Sequence, residues 1–110
     1  MAEPLHHLQC GPLTIDLARY RVLLRGQPLA LTYREYALLT YLAGRAGQVV
    51  SMRRLLEEGL GRHDPGGLRL VEEHLRRLKG LIEREPGCAL EDLRPEGYRL
   101  ICRASHVTPI

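Results

Sequence analysis

Between positions 69 and 79 the chain carries four cations, Arg69, Arg76, Arg77 and Lys79, against two anions, Glu72 and Glu73. A guanidinium is a planar fork that binds phosphate or carboxylate through two parallel hydrogen bonds and can reach O6 and N7 of guanine. The run could therefore engage a polyanion. Its spacing is helical: at about 100° per residue, Leu75, Leu78 and Ile82 fall within about 40° of Val71, with Leu70, His74 and Leu81 on one flank. The opposite side collects Arg69, Glu73, Arg76, Arg77, Gly80 and Arg84, while Glu72, Lys79 and Glu83 lie along its edge. The same residues allow a plainer chemistry. Glu72 with Arg76 and Glu73 with Arg77 are i,i+4 pairs in the favourable acid-first order, and Arg69 with Glu73 is a third in reverse. Each is worth about 0.2 to 0.5 kcal/mol on a solvated face. Both chemistries stay open at this level.

Such a helix needs a scaffold, and the flanking segments supply one. Leu13-Thr14-Ile15-Asp16-Leu17 alternates with period two and Tyr20-Arg21-Val22-Leu23-Leu24 resumes after a polar break. Gly26-Gln27-Pro28 then turns into Leu29-Ala30-Leu31, so a small antiparallel sheet is expected over 5–31. Thr32-Tyr33-Arg34-Glu35 has the form of a capping box, opening a helix to about Ala46 on the stripe Leu38, Leu39, Leu42, Ala43, Ala46. Gln48-Val49-Val50 is a short bridge, and Ser51 caps a second helix from Met52 to about Leu60, with Arg53 and Arg54 in its first turn. Residues 59–67 hold four glycines and a proline and form a loop, and the third helix spans about 68–84. Glu85-Pro86-Gly87 stops it, and a hairpin over 89–101 turns at Pro95-Glu96-Gly97, with Arg94 beside the turn. The expected domain is 1–102, followed by a frayed tail at 103–110.

Composition bounds the function. A chain of 110 residues fits one domain, and 45% hydrophobic with 26% charged residues excludes a disordered or collagenous protein. Fifteen of the 16 basic residues are arginine, against 13 acids, and the net charge of +3 permits nucleic acid without requiring it. Cys10, Cys88 and Cys102 form no CxxC pair, and an odd count argues against a disulfide framework and for a reducing cytoplasm. No apolar run reaches the ~20 residues of a membrane span, and the start lacks the order of a signal peptide. His6 and His7 near Cys10 make no metal site, because adjacent strand residues point to opposite faces. No enzyme motif, cofactor or small-molecule ligand is expected.

The order of sheet, capped helix, short bridge, helix, loop, basic helix and hairpin resembles the OmpR/PhoB-type winged-helix effector domain of bacterial response regulators. Four segments carry the resemblance, from about Leu5 to Ile101: Leu31-Thr32-Tyr33-Arg34-Glu35-Tyr36-Ala37-Leu38-Leu39, Gly47-Gln48-Val49-Val50-Ser51-Met52-Arg53-Arg54-Leu55-Leu56, Val71-Glu72-Glu73-His74-Leu75-Arg76-Arg77-Leu78-Lys79 and Leu93-Arg94-Pro95-Glu96-Gly97-Tyr98-Arg99-Leu100. It implies an α+β winged helix-turn-helix: a small N-terminal antiparallel sheet, three helices and a C-terminal β-hairpin wing. It also implies a cytoplasmic transcription regulator of double-stranded DNA, with the third helix in the major groove and the wing in the minor groove. Carried over by position, Arg69, Glu73, Arg76, Arg77, Lys79 and Arg94 face DNA; Arg53, read from its place at the start of the second helix and not from the resemblance, is a candidate phosphate contact beside a plain solvent-facing alternative. The loop 59–67 occupies the place that touches RNA polymerase, and tandem pairs on DNA are expected. The receiver domain that usually precedes this module is not in the sequence, so the chain reads as an excised or stand-alone effector. A second reading keeps the fold but turns it to protein contact, with Glu73, Asp92 and Glu96 facing a basic partner.

Overall fold

The computed structural model describes residues 7–103. Four short strands come first: β1 (His7–Cys10), β2 (Leu13–Asp16), β3 (Arg21–Leu24) and β4 (Gln27–Pro28), paired antiparallel in chain order. Period-two alternation decides which side faces inward. Leu13 lies opposite Leu24 and Ile15 opposite Val22, and all four are buried while Thr14 and Asp16 are only half so.

Helix α1 (Tyr33–Ala43) opens with the expected capping box. Glu35 N donates to Thr32 Oγ1 at 3.1 Å and Thr32 N donates to Glu35 Oε1 at 3.0 Å. The helix ends three residues before the expected Ala46. Gly44 N–H already closes on Thr40 O at 3.0 Å, and the chain then turns so that Gly47 N–H can donate to Leu100 O at 2.8 Å. Strand β5 (Val49–Val50) leads into α2 (Met52–Arg54), which Ser51 caps. The second helix does not stay α-helical to Leu60: Leu55–Gly59 is a π-helical turn, with Leu60 N–H donating to Leu55 O. The connection that follows, 60–66, is shorter than expected at both ends.

Helix α3 (Gly67–Ile82) is followed by the hairpin of β6 (Cys88–Leu93) and β7 (Gly97–Cys102), which forms a three-stranded antiparallel sheet in the order β5-β7-β6. The α+β winged-helix expectation therefore holds, with most element ends shifted by one to three residues, but the strand expected at Leu29-Ala30-Leu31 does not form: Arg25 and Gly26, both at positive φ, complete the turn early, so that β4 falls at Gln27–Pro28. Tail residues 104–110 and the start, 1–6, lie outside the described residues.

One core joins the layers. Leu38, Leu39 and Leu42 of α1 meet Leu55, the α3 stripe Val71, Leu75, Leu78 and Ile82, and Leu90 and Leu100 of the wing, all with no exposed surface. Burying an aliphatic side chain of this size contributes roughly 1.5 to 3 kcal/mol, several times what a solvated i,i+4 ion pair gives. The inward stripe therefore sets the roll of α3, and the outward face is left to other tasks. Gly97, at φ +148°, lets the wing approach β5: any side chain there would run into the Val50 carbonyl.

The cysteines correct the expectation drawn from their count. Cys10, at the end of β1, is bonded to Cys102, at the end of β7, with Cα atoms 5.3 Å apart, and Cys88 is a free buried thiol. An odd count says nothing about proximity across 92 residues. Proximity is made by the seam between the two sheets, where Arg25 Nη2 donates to Pro86 O at 2.9 Å, Gly11 lies against the backbone of Arg103 and Gly87 lies against Pro12.

Candidate nucleic-acid interface

The candidates on α3 divide into two groups. Arg69, Glu73 and Arg76 are exposed on the outward face, and none makes an ion pair or side-chain hydrogen bond among the described residues. The three i,i+4 pairs expected from the sequence are not formed. Each residue that could have made one either stands free or has found a tertiary partner.

Arg77 is one of those with a partner. Its Nη1 donates to Oε1 of Glu35, the buried carboxylate of the α1 capping box, whose side chain is 2% exposed. A buried carboxylate binds a guanidinium more strongly than an exposed one can, so the contact to α1 outcompetes the neighbour Glu73. Burial alone would raise the Glu35 pKa. The Arg77 hydrogen bond, the Thr32 amide and the charges of Arg77 and His74 together hold it below the usual glutamate value. His74 lies on the same side, with Nδ1 4.0 Å from Glu35 Oε2. Lys79 is also engaged: Nζ donates to Glu83 Oε2 at 3.0 Å and to Leu90 O at 2.9 Å, while Glu83 Oε2 accepts Leu90 N–H at 2.7 Å. These bonds fasten α3 to β6.

Arg94 sits in the wing turn and reaches back toward α3. Nε and Nη2 donate to Asp92 Oδ1 and Oδ2 at 2.8 and 2.6 Å, and Nη1 donates to Glu72 Oε2 at 2.9 Å. Its guanidinium carbon lies 5.8 Å from the Tyr98 ring centroid. The Arg94 hydrogen bonds drive the Asp92 carboxyl down to about 2 and push the guanidinium pKa further up. Glu72, Leu75, Arg76, Lys79, Asp92, Arg94 and Tyr98 line a small cleft of about 90 Å³ between helix and wing. Tyr98, beside the turn in β7, is buried at this cleft.

Arg53 opens α2 with its side chain 80% exposed and lies 3.6 Å from Glu57, so it borders the helix pair without joining the α3 cluster. The structure thus leaves Arg69, Glu73 and Arg76 unpaired on the outward face of α3 and engages Arg94, Arg77 and Lys79, each still half-exposed, with partners on other elements or at the end of α3. Sequence reading missed Glu35 as the tertiary partner of Arg77 and Glu72 as the partner of Arg94. The capping box marked Glu35 as a cap, and a further signal was a carboxylate one helical turn before the buried Leu38 and Leu39.

Comparison with known proteins gives a consistent result. The family described as "Transcriptional regulatory protein, C terminal" matches residues 26–100. The sensory transduction protein RegX3 of Mycolicibacterium smegmatis is 32% identical over 95 residues, covering 84% of this chain and 42% of RegX3. The DNA-binding response regulator MtrA of the same organism is 36% identical over 84 residues, covering 76% of this chain and 37% of MtrA. The chain thus spans less than half the length of these relatives. Among solved structures, the Klebsiella pneumoniae RstA DNA-binding domain in complex with the RstA box superposes with a TM-score of 0.73 at 30% identity, covering 93% of this chain and all of that one. The DNA-binding domain of CpxR from E. coli gives 0.67 at 33% identity, with 93% and 100% covered.

Proposed function

This chain belongs to the transcriptional regulatory protein C-terminal family, the OmpR/PhoB-type winged-helix domains of bacterial response regulators, and on that footing we propose how it binds double-stranded DNA to regulate transcription. It acts by binding rather than by catalysis, in the cytoplasm where its DNA lies. The outward face of α3 enters the major groove and the hairpin wing approaches the neighbouring minor groove. The observation that carries the assignment is the free outward pair Arg69 and Arg76 on a helix whose roll is fixed by its core. Their guanidinium groups are available to phosphate or guanine edges, and Glu73 between them can accept from a cytosine amino group. Arg77 and Lys79 act one step back, holding α3 against α1 and β6. Arg53 contributes a peripheral phosphate contact.

The segment 60–66 borders an apolar depression of about 300 Å³ lined by Met52, Leu56, Pro65 and Leu68 among others, which supports contact with RNA polymerase at this place. Binding as tandem pairs is part of the same proposal, as the resemblance implies. Selection of bound duplexes from a random pool, followed by titration at several salt concentrations, tests the assignment. Arg69→Ala and Arg76→Ala should each weaken binding and reduce the slope of log K against log salt by about 0.9 if the residue neutralises a phosphate. Binding undetectable at low salt, or unaltered by both substitutions together, would refute it.

A further inference from the structure

We propose that Glu72 and Asp92 form an internal anionic clasp that competes with DNA for Arg94 and so sets the affinity of the domain below what its cations could give. The proposal rests on the DNA-binding reading above and goes beyond it. Arginine has five N–H donors, and at least three of those on Arg94, at Nε, Nη1 and Nη2, point at carboxylate oxygens 2.6 to 2.9 Å away. The geometry on Asp92 is the bidentate fork that a guanidinium would otherwise offer to a phosphate. Two carboxylates and one guanidinium sum to −1, so the closed clasp presents the approaching backbone with net negative charge at the wing, next to the free cation Arg76 in the same cleft. Glu72 is on α3 and Asp92 on β6, so the clasp also spans helix and wing.

Closed, the clasp gives Arg94 no net counterion release on binding, because its charge is already neutralised. Opening it exchanges carboxylate bonds for phosphate or minor-groove bonds of similar kind, which returns little. Removing the carboxylates leaves a free cation at the wing. One additional neutralised phosphate corresponds to a factor of roughly eight in affinity at 0.1 M salt, from a slope of about 0.9. The lone substitutions Glu72→Gln and Asp92→Asn keep shape and hydrogen-bonding capacity while deleting charge.

The experiment is a salt-dependent titration of the native chain, Glu72→Gln, Asp92→Asn and the double variant on one duplex chosen by selection. Each protein is first shown to be folded by circular dichroism and thermal unfolding. The double variant should bind several-fold tighter with a slope steeper by about 0.9, and adding Arg94→Ala should remove that gain, costing more there than in the native chain. Equal or weaker binding by the folded double variant overturns the clasp, since the carboxylates would then be orienting Arg94 for DNA. A gain that survives Arg94→Ala also overturns it, leaving only general charge repulsion. If no variant, native chain included, binds any duplex, the DNA-binding reading itself fails and the clasp with it.

Discussion

Replacing Arg77 by alanine tests whether the outward candidates on α3 divide as described. The substitution removes the only guanidinium on Glu35, whose carboxylate is 2% exposed and is left with the Thr32 amide at 3.0 Å and His74 Nδ1 at 4.0 Å. Breaking a fully buried ion pair by deleting one partner costs about 3 to 5 kcal/mol. Arg77 is itself 52% exposed, so water can enter where its side chain stood, and the expected cost is roughly half, about 2 kcal/mol. For a domain of this size that lowers Tm by about 8 to 16 °C. The check is a double-mutant cycle with Glu35→Gln, read by urea unfolding at pH 7. Glutamine can still accept the Thr32 amide, so the helix cap survives, and with no buried charge to compensate, Arg77→Ala in that background should cost under about 0.5 kcal/mol. The coupling is then about 1.5 kcal/mol. A cost below about 0.5 kcal/mol for Arg77→Ala in the native background, or a coupling near zero, would show that Arg77 behaves as a free surface cation and that its pairing with Glu35 does not hold it.

Other outcomes follow from the same contacts. Glu35 and Asp92 both have folded pKa values below their ordinary ones, so the unfolded chain binds protons first and stability rises with pH through the acid range. For Asp92 the contribution is present above about 3.8 and lost as pH falls toward about 2; unfolding curves from pH 2 to 6 should show a shallower acid limb for Asp92→Asn. Reducing the Cys10–Cys102 bond, which closes a span of 92 residues, should cost about 3 to 5 kcal/mol, read as a drop in Tm on adding a thiol reductant; an unmoved Tm in a chain shown by thiol titration to be reduced would refute the cross-link's role. Gly97→Ala puts a methyl into the Val50 carbonyl at φ +148° and should destabilise the chain by about 2 kcal/mol or more, with lost protection of the β5-β7 amides in hydrogen exchange. Lys79→Ala, which unfastens α3 from β6, should lower stability by about 1 kcal/mol, measured by denaturant unfolding.

The fold was legible because local rules and burial agree. Period-two alternation in β2 and β3, the Thr32 capping box, the 3.6-residue stripe Val71, Leu75, Leu78 and Ile82, and the glycines at the turns all act within a few residues, where the sequence is a direct record of geometry. Element ends moved where a tertiary bond intervened, as when Gly47 turned toward Leu100.

Charge pairing was not legible in the same way. From the linear order, Glu72 belonged to Arg76 and Glu73 to Arg77, because helical neighbours three and four apart are always within reach. In the folded chain Glu72 holds Arg94 and Glu35 holds Arg77, across 22 and 42 residues, and the cysteines join across 92. Long side chains choose among partners by dielectric and geometry, and both are created only when helix, wing and sheet pack together. The sequence by itself determined that a basic helix would stand beside a hairpin with its apolar side inward. Which of its cations remain free to meet a phosphate was decided by the tertiary structure, because a buried or bidentate carboxylate holds a guanidinium more tightly than an exposed neighbour can.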